Sequence, residues 1–293
     1  MSKVWFITGS SRGLGRALAE AVLSAGHRLV ATARRPDDLR DLVATAPDRV
    51  RAVALDVTDA AAARRAVAVA TSAFGRLDVL VNNAGYANVG AFEDLAEDDF
   101  RDQVETDFFG VVNVTRAALP VMRAQRDGRI IQISSLGGRS GTPGLSAYQA
   151  SKWAVGGFSE VVAAEVRPLG IRVTVVEPGG IRTDWAGSSM HIHEVRPEYQ
   201  PSVGVAARIR GNPDTMRGDP AKLAQAILRV SEEVDPPLHL LLGSDAVFLA
   251  GAILERRRQE DERWKALSMS TDFDGLGDFK DTPIAHALME MKR

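Results

Sequence analysis

Tyr148 and Lys152 stand four residues apart in the helix-suited segment Tyr148-Gln149-Ala150-Ser151-Lys152, so the two side chains share one helical face. A phenol is a poor proton donor or acceptor near neutrality because its free pKa is about 10. An adjacent ammonium favours the phenolate and lowers that value. The pair reads as a tuned acid and base for moving a proton to or from a carbonyl or alcohol oxygen. Chance is a weak rival, because three Tyr and six Lys would match at this spacing about 0.06 times. Tyr86 and Tyr199 are followed at that distance by Gly90 and Val203.

A second chemical signal lies near the N-terminus. An apolar run leads into Thr8-Gly9-Ser10-Ser11-Arg12-Gly13-Leu14-Gly15 and then into an Ala-rich helix. A strand, a glycine turn and a helix in this order present backbone N–H groups and a positive helix end to a pyrophosphate. Gly9 permits the tight turn, Gly13 lets the backbone approach the phosphates, and Gly15 lets the helix pack closely on the sheet. Three glycines among 26 carry little alone; their place directly after a strand makes the dinucleotide reading. The next strand selects the cofactor. It ends Val30-Ala31-Thr32-Ala33-Arg34-Arg35, with no acid for a ribose 2′-hydroxyl and a guanidinium suited to a 2′-phosphate, which Arg12 could help to hold. A charge-assisted bond contributes roughly 1.5–3 kcal/mol. NADP(H) is therefore expected over NAD(H) by about 10- to 100-fold. Arg35 reads as a solvated neighbour.

The elements that must position these groups are those of a parallel α/β protein. Strands are expected over 4–8, 28–33, 51–55, 79–82, 129–134, 172–177 and 238–242, with helices over 14–25, 36–46, 59–74, 97–125, 147–168, 219–233 and 246–264. Runs apolar on both faces, such as Ile130-Ile131-Gln132-Ile133, fit a sheet covered by helices on both sides. A length of 293 residues with 45% hydrophobic and 25% charged residues fits a globular protein of one large domain or two small ones. A formal net charge of −2 argues against a nucleic-acid partner. The absence of Cys excludes disulfides, thiolate metal sites, iron–sulfur clusters and cysteine nucleophiles. No signal-peptide pattern opens the chain, and the longest apolar stretch, from Leu238 to Leu254, is broken by Asp245. A cytoplasmic protein without membrane contact is expected.

Residues 184–218 break the rhythm. This long polar segment carries Pro197, Pro201, Gly204 and Gly211 and ends where Asp219 and Pro220 supply a cap and first-turn proline for the next helix. A substrate lid is expected there. Trp185 and Met190 either line an apolar pocket or pin the lid to the core. His191 and His193 lack further ligands nearby, and no metal site is expected. Gly243-Ser244-Asp245 reads as a strand-to-helix turn with a cap. Residues 1–269 are expected to form a single domain, with 270–293 as an unassigned tail.

Together these segments resemble a classical short-chain dehydrogenase/reductase. Thr8 to Gly15 matches that family's TGxxxGxG turn, and Asn82-Asn83-Ala84-Gly85 its NNAG segment after the fourth strand. Ser134-Ser135 after the fifth strand, Tyr148 with Lys152, and Pro178-Gly179 followed by Thr183 complete the set in order. The resemblance covers roughly residues 3–267. It implies a single Rossmann-type, doubly wound parallel sheet of about seven strands in the order 3-2-1-4-5-6-7, flanked by helices on both faces. It also implies that Tyr148 is the proton donor, that Ser135 orients the substrate oxygen, and that Lys152 grips the nicotinamide ribose while lowering the tyrosine pKa. Ser134 rivals Ser135, but alternation points it to the other face. On the cofactor side it implies contacts from Gly9, Ser11, Arg12, Gly13, Leu14 and Gly15 in the turn and from Arg34 after the second strand. Asp56 and Val57 would border the adenine, Asn83, Ala84 and Gly85 the ribose, and Pro178, Gly179, Ile181 and Thr183 the nicotinamide carboxamide.

One position departs from the family's pattern. The fourth catalytic residue of the family is an Asn in an N-x-x-G setting, which here reads Asp107-Phe108-Phe109-Gly110. An Asp can hold the same relay water by accepting its hydrogen bond. If ionised, it stabilises the lysine's charge while opposing the phenolate, so the relay is expected to survive with an altered pH optimum. Asn113 lies on a different face. The helices over 97–125 and 147–168 carry more apolar residues than a sheet can cover, which with the family's usual contact suggests a homodimer or homotetramer. The activity implied is NADP(H)-dependent interconversion of a small-molecule ketone or aldehyde and an alcohol. Its rivals are a cofactor-sensing regulator that keeps the fold without turnover, and an epimerase or dehydratase, for which the residues after Pro178 leave little substrate domain.

Overall fold

The run Val-Trp-Phe-Ile at Val4–Ile7 (β1) is buried along its whole length, as a strand covered on both faces must be. It opens an alternation of strands and helices in a computed structural model that describes residues 2–183 and 190–291. Helix α1 (Gly13–Ser24), β2 (Arg28–Ala33), α2 (Arg40–Thr45), β3 (Val50–Ala54), α3 (Ala60–Phe74) and β4 (Val79–Asn82) form the first half. Next come β5 (Ala87–Val89), α4 (Glu97–Val104), α5 (Gly110–Gln125), β6 (Gly128–Ile133), α6 (Ser146–Val166) and β7 (Ile171–Pro178). The chain continues through β8 (Met190–Ile192), α7 (Val205–Gly211), α8 (Pro220–Val230), β9 (His239–Leu242), α9 (Ser244–Met269) and α10 (Pro283–Met291).

Seven of these strands pair in parallel in the order β3-β2-β1-β4-β6-β7-β9. With the short β5 and β8 set aside, this is the expected order 3-2-1-4-5-6-7, a Rossmann-type sheet. The direction of winding reverses between β1 and β4, and such a reversal opens a crevice at the strands' carboxyl ends. Alternate side chains of β1 feed two apolar layers. Trp5 and Ile7 join Leu18, Val22 and Ile227 under α1 and α8, whereas Val4 and Phe6 join Ala66, Val114, Met122 and Val162 under α3, α5 and α6. Local chemistry sets the helix ends. The Asp59 carboxylate caps α3 by accepting from the Ala61 and Ala62 N–H groups, and Gly75 ends it at φ +79°. Asp219 caps α8, with Pro220 in its first turn, as the sequence implies.

Two segments differ from expectation. The long helix expected over 97–125 is interrupted by a π-helical turn at Glu105–Phe109. One inserted residue leaves the helical composition unchanged, so the pattern did not betray it. Within the expected lid, residues 190–218 are not plain loop: β8 pairs in parallel with β5, and α7 follows. Strands of three residues are too short to show a period. The remaining expected lid residues, 184–189, lie outside the described residues. The chain forms two compact units, residues 1–250 and 251–293. The second unit holds the rest of α9 and, in the tail left unassigned, α10. Among the described residues no helix is long and apolar enough to cross a membrane.

Candidate active site

The glycine turn is locked to the segment after β4. Thr8 Oγ1 accepts from the N–H groups of Asn83 (2.8 Å) and Ala84 (2.9 Å). The Asn83 side-chain amide in turn donates to the carbonyls of Thr8 (2.9 Å) and Gly9 (3.1 Å). Gly9 sits at φ +67° and Gly13 at φ +57°, conformations that side chains resist. A Cβ at Gly15 would overlap the Gly9 carbonyl and the Asn83 amide. Leu14 is buried in the core, and Ser11 is half-buried. The residue before α1, Arg12, is exposed and caps no helix N–H with its side chain. No acidic side chain stands in the first turn of α1, so among the described residues its positive end carries no built-in anion, which suits a pyrophosphate. Across the crevice Gly13 faces Thr183, whose side chain would lie 3.7 Å from a Cβ there.

The end of β2 abuts the turn, because the Ser10 N–H donates to the Thr32 carbonyl (2.9 Å). Arg34 is exposed just beyond it, while Arg35 pairs with Asp38 at 3.1 Å. After β3, Asp56 Oδ1 accepts from the Thr58 N–H (3.0 Å) and hydroxyl (2.7 Å), making a local turn. Val57 is buried against Gly110, where no Cβ would fit. Asn113, set aside in the sequence as lying on another face, donates from that face to the carbonyls of Val57 (3.0 Å) and Thr58 (3.2 Å). It is a positioning residue that the motif gave no reason to single out.

Helix α6 carries Tyr148 and Lys152 side by side, both buried. Lys152 Nζ donates to the Ile133 carbonyl (3.0 Å) and lies 5.6 Å from the centre of the Tyr148 ring. The Ser134 hydroxyl is buried and donates to the Lys152 carbonyl (3.2 Å), as alternation implied. Ser135 Oγ accepts from the Gly137 N–H (3.0 Å), which leaves its own proton to donate elsewhere. The other tyrosines are poor acids. Burial, helped by Asp107, pushes Tyr86 up to about 12. A 2.6 Å hydrogen bond to Glu93 raises Tyr199.

Asp107 sits inside the π-helical turn and is completely buried. Its Oδ1 accepts from the Tyr86 N–H (3.0 Å), and its Oδ2 has no partner among the described residues. Burial pushes the carboxyl up to about 6, against the opposing pull of the Lys152 charge. Gly85 lies between the two: a Cβ there would be 2.9 Å from Asp107 Oδ1 and 3.6 Å from Lys152 Nζ.

Beyond Pro178, the Gly179 N–H donates to the Leu242 carbonyl and the Gly180 N–H to Asp245 Oδ2, both at 2.9 Å. Ile181 bridges to Gly218, and the Thr183 N–H returns to the Ile181 carbonyl (3.0 Å). Gly243-Ser244-Asp245 is the strand-to-helix turn between β9 and α9, and the Asp245 carboxylate also reaches 65 residues back to hold this loop. Buried Glu177 accepts from Arg139 (2.9 Å) and sits 3.2 Å from His239 Nδ1. Burial would raise Glu177, but these two partners hold it below the usual range. They tie the loop after Ser135 to the strand before Pro178.

On the substrate side, Met190 and Ala207 pack with Ala87, Val89, Leu145 and Tyr148. Met190 therefore pins the lid; Trp185 lies outside the described residues. Arg196 pairs with Glu93 and Asp94 to fasten the same segment. His193 donates its N–H to the Val89 carbonyl (2.8 Å), and among the described residues no three metal-ligating side chains gather. Phe109, Trp153 and Val161 are exposed on the helices expected to meet a second copy.

Comparison with known proteins points to one family. A family model described as short chain dehydrogenase matches residues 3–192. A Botryotinia fuckeliana protein named oxidoreductase BOA17 is 53% identical over 273 residues, covering 92% of this chain and 100% of its own length. The crystal structure of a short-chain dehydrogenase from Streptomyces avermitilis is 44% identical with a TM-score of 0.87, covering 93% of this chain and 100% of its own. A short chain dehydrogenase from Burkholderia cenocepacia, solved with NADP, is 26% identical with a TM-score of 0.71, covering 89% of this chain and 97% of its own.

Proposed function

The chain belongs to the short-chain dehydrogenase family, and on that premise we propose that it reduces a ketone or aldehyde in an NADP(H)-dependent, reversible reaction with Tyr148 as general acid and base. The observation that carries this reading is the buried pair of Tyr148 and Lys152 on one face of α6, next to the Ser135 loop. Bound NADPH supplies the hydride. The Ser135 hydroxyl, already an acceptor from Gly137, donates to the carbonyl oxygen and orients it. Tyr148 gives that oxygen its proton, and the Lys152 ammonium, fastened to the Ile133 carbonyl, steadies the phenolate left behind. Above about pH 6 Asp107 is ionised and offsets part of the ammonium's field. The unpartnered Oδ2 of Asp107 can accept from a water that hands protons to Lys152.

The glycine turn and the uncapped start of α1 would hold the pyrophosphate, and Arg34 with Arg12 the 2′-phosphate. Asn83 and Lys152 would hold the nicotinamide ribose, and the Gly179–Thr183 loop the carboxamide. The test is oxidation of NADPH and NADH against a panel of ketones and aldehydes. NADPH should be preferred by about 10- to 100-fold in kcat/KM. Equal use of both cofactors would remove the 2′-phosphate role. Tight NADPH binding without turnover on any carbonyl would favour the cofactor-sensing regulator instead.

A further inference from the structure

The lid carries a charge that this reaction does not use. Arg210 lies in α7, three residues after Ala207, so the two share a helical face. Ala207 packs in the apolar cluster that contains Tyr148, which turns this face toward the catalytic tyrosine. The Tyr148 hydroxyl lies within electrostatic reach of the Arg210 guanidinium. Arg210 is half-buried, and among the described residues no carboxylate pairs with it. Its neighbours in the lid are differently placed: Arg196 is matched by Glu93 and Asp94, and exposed Arg208 bonds the Gln200 side chain. A guanidinium withdrawn from water without an acid is costly, and burial holds its pKa below the ordinary value. Such a charge, with its planar fork of donors, matches a carboxylate in geometry as well as sign. The cofactor's phosphates have their own cradle at the glycine turn.

Resting on the reductase reading, we propose that Arg210 is a substrate-binding residue that holds the carboxylate of a keto acid while Ser135 and Tyr148 engage its carbonyl. The substrate class is then carbonyl compounds that carry an acid group, and the lid selects them by charge. The spacing between carbonyl and carboxylate is read by the reach of Arg210 from α7.

The test measures NADPH-dependent kcat and KM for keto acids of increasing carbonyl-to-carboxylate spacing, each beside its methyl ester. The intact enzyme should favour the acid at the best spacing by about 10- to 100-fold, mainly through KM. Arg210→Met should abolish that preference while leaving ester turnover in place, and Arg210→Lys should keep part of it. No acid preference at any spacing, with esters and neutral ketones still turned over, overturns this inference and leaves the reductase reading standing. An equal loss on acid and ester in Arg210→Met also overturns it, because the residue would then act on Tyr148 or on the lid itself. No turnover of any carbonyl, neutral ketones included, overturns both. If Arg210→Met does not fold, the acid-to-ester ratios of the intact enzyme and of Arg210→Lys decide.

Discussion

The two walls around Tyr148 are held by different physics. The cofactor wall, built from β1, β4 and the glycine turn, is closed by partly buried hydrogen bonds among Thr8, Asn83 and Ala84 and by Gly15, which leaves no room for a Cβ. The lid wall is held by a strand pair three residues long, a small apolar cluster and ion pairs of partly exposed Arg196. A buried polar group that loses its partner costs about 1–3 kcal/mol. An exposed ion pair contributes about 0–1 kcal/mol. On the proposed reading the chemistry lies in the more firmly held wall and substrate choice in the more loosely held one.

The sharpest way to break this contrast is to disturb each wall once. Gly15→Ala drives a methyl into the Gly9 carbonyl and the Asn83 amide, and overpacking of this kind should cost about 3 kcal/mol or more. Arg196→Ala in the lid should cost far less, because water screens an exposed ion pair. Denaturant unfolding of both variants reads the difference, and equal costs would erase the distinction between the walls.

Asp107 sharpens the contrast from inside the rigid wall. Its carboxyl is raised from 3.8 to about 6 by burial, so the folded state binds the proton more tightly than the unfolded state does. Stability from this group is therefore fully present below about pH 4 and is lost as pH rises through about 6, by up to roughly 3 kcal/mol. Asp107→Asn should be more stable than the parent at pH 8, and that gain should shrink toward pH 4. Removing the negative charge beside Lys152 should also shift the pH–rate profile of alcohol oxidation. A stability difference independent of pH, with an unchanged pH–rate profile, would contradict both statements.

At the open edge of the cofactor wall, Arg34 is exposed and replaceable. Arg34→Ser should reduce the NADPH-over-NADH ratio by about 10- to 100-fold while leaving NADH turnover unchanged. Comparing kcat/KM for the two cofactors checks it, and an unchanged ratio would assign the 2′-phosphate elsewhere.

The rigid wall was also the readable one. Strand period, the glycine turn and the Tyr148–Lys152 spacing are local patterns, and the structure brings their residues to one crevice. Asp107 was visible as an acid in an amide's place, but the π-helical turn around it was hidden inside a continuous helical composition. The roles of Asn113 and Asp245 depend on partners 55 to 65 residues away, which no local pattern records. Arg210 is one of 36 basic residues, and only the packing of Ala207 against the Tyr148 cluster singles it out. The lid was recognisable by its length and its proline and glycine content, while its strand pair and helix depend on the surface beneath.

The most direct test of the account is NADPH oxidation with the carbonyl panel by the intact enzyme and by Tyr148→Phe, at cofactor concentrations that saturate both. The phenyl ring keeps the packing and removes only the acid. Turnover should fall by about 10²- to 10⁴-fold with NADPH affinity unchanged. Equal turnover by the two proteins would contradict it.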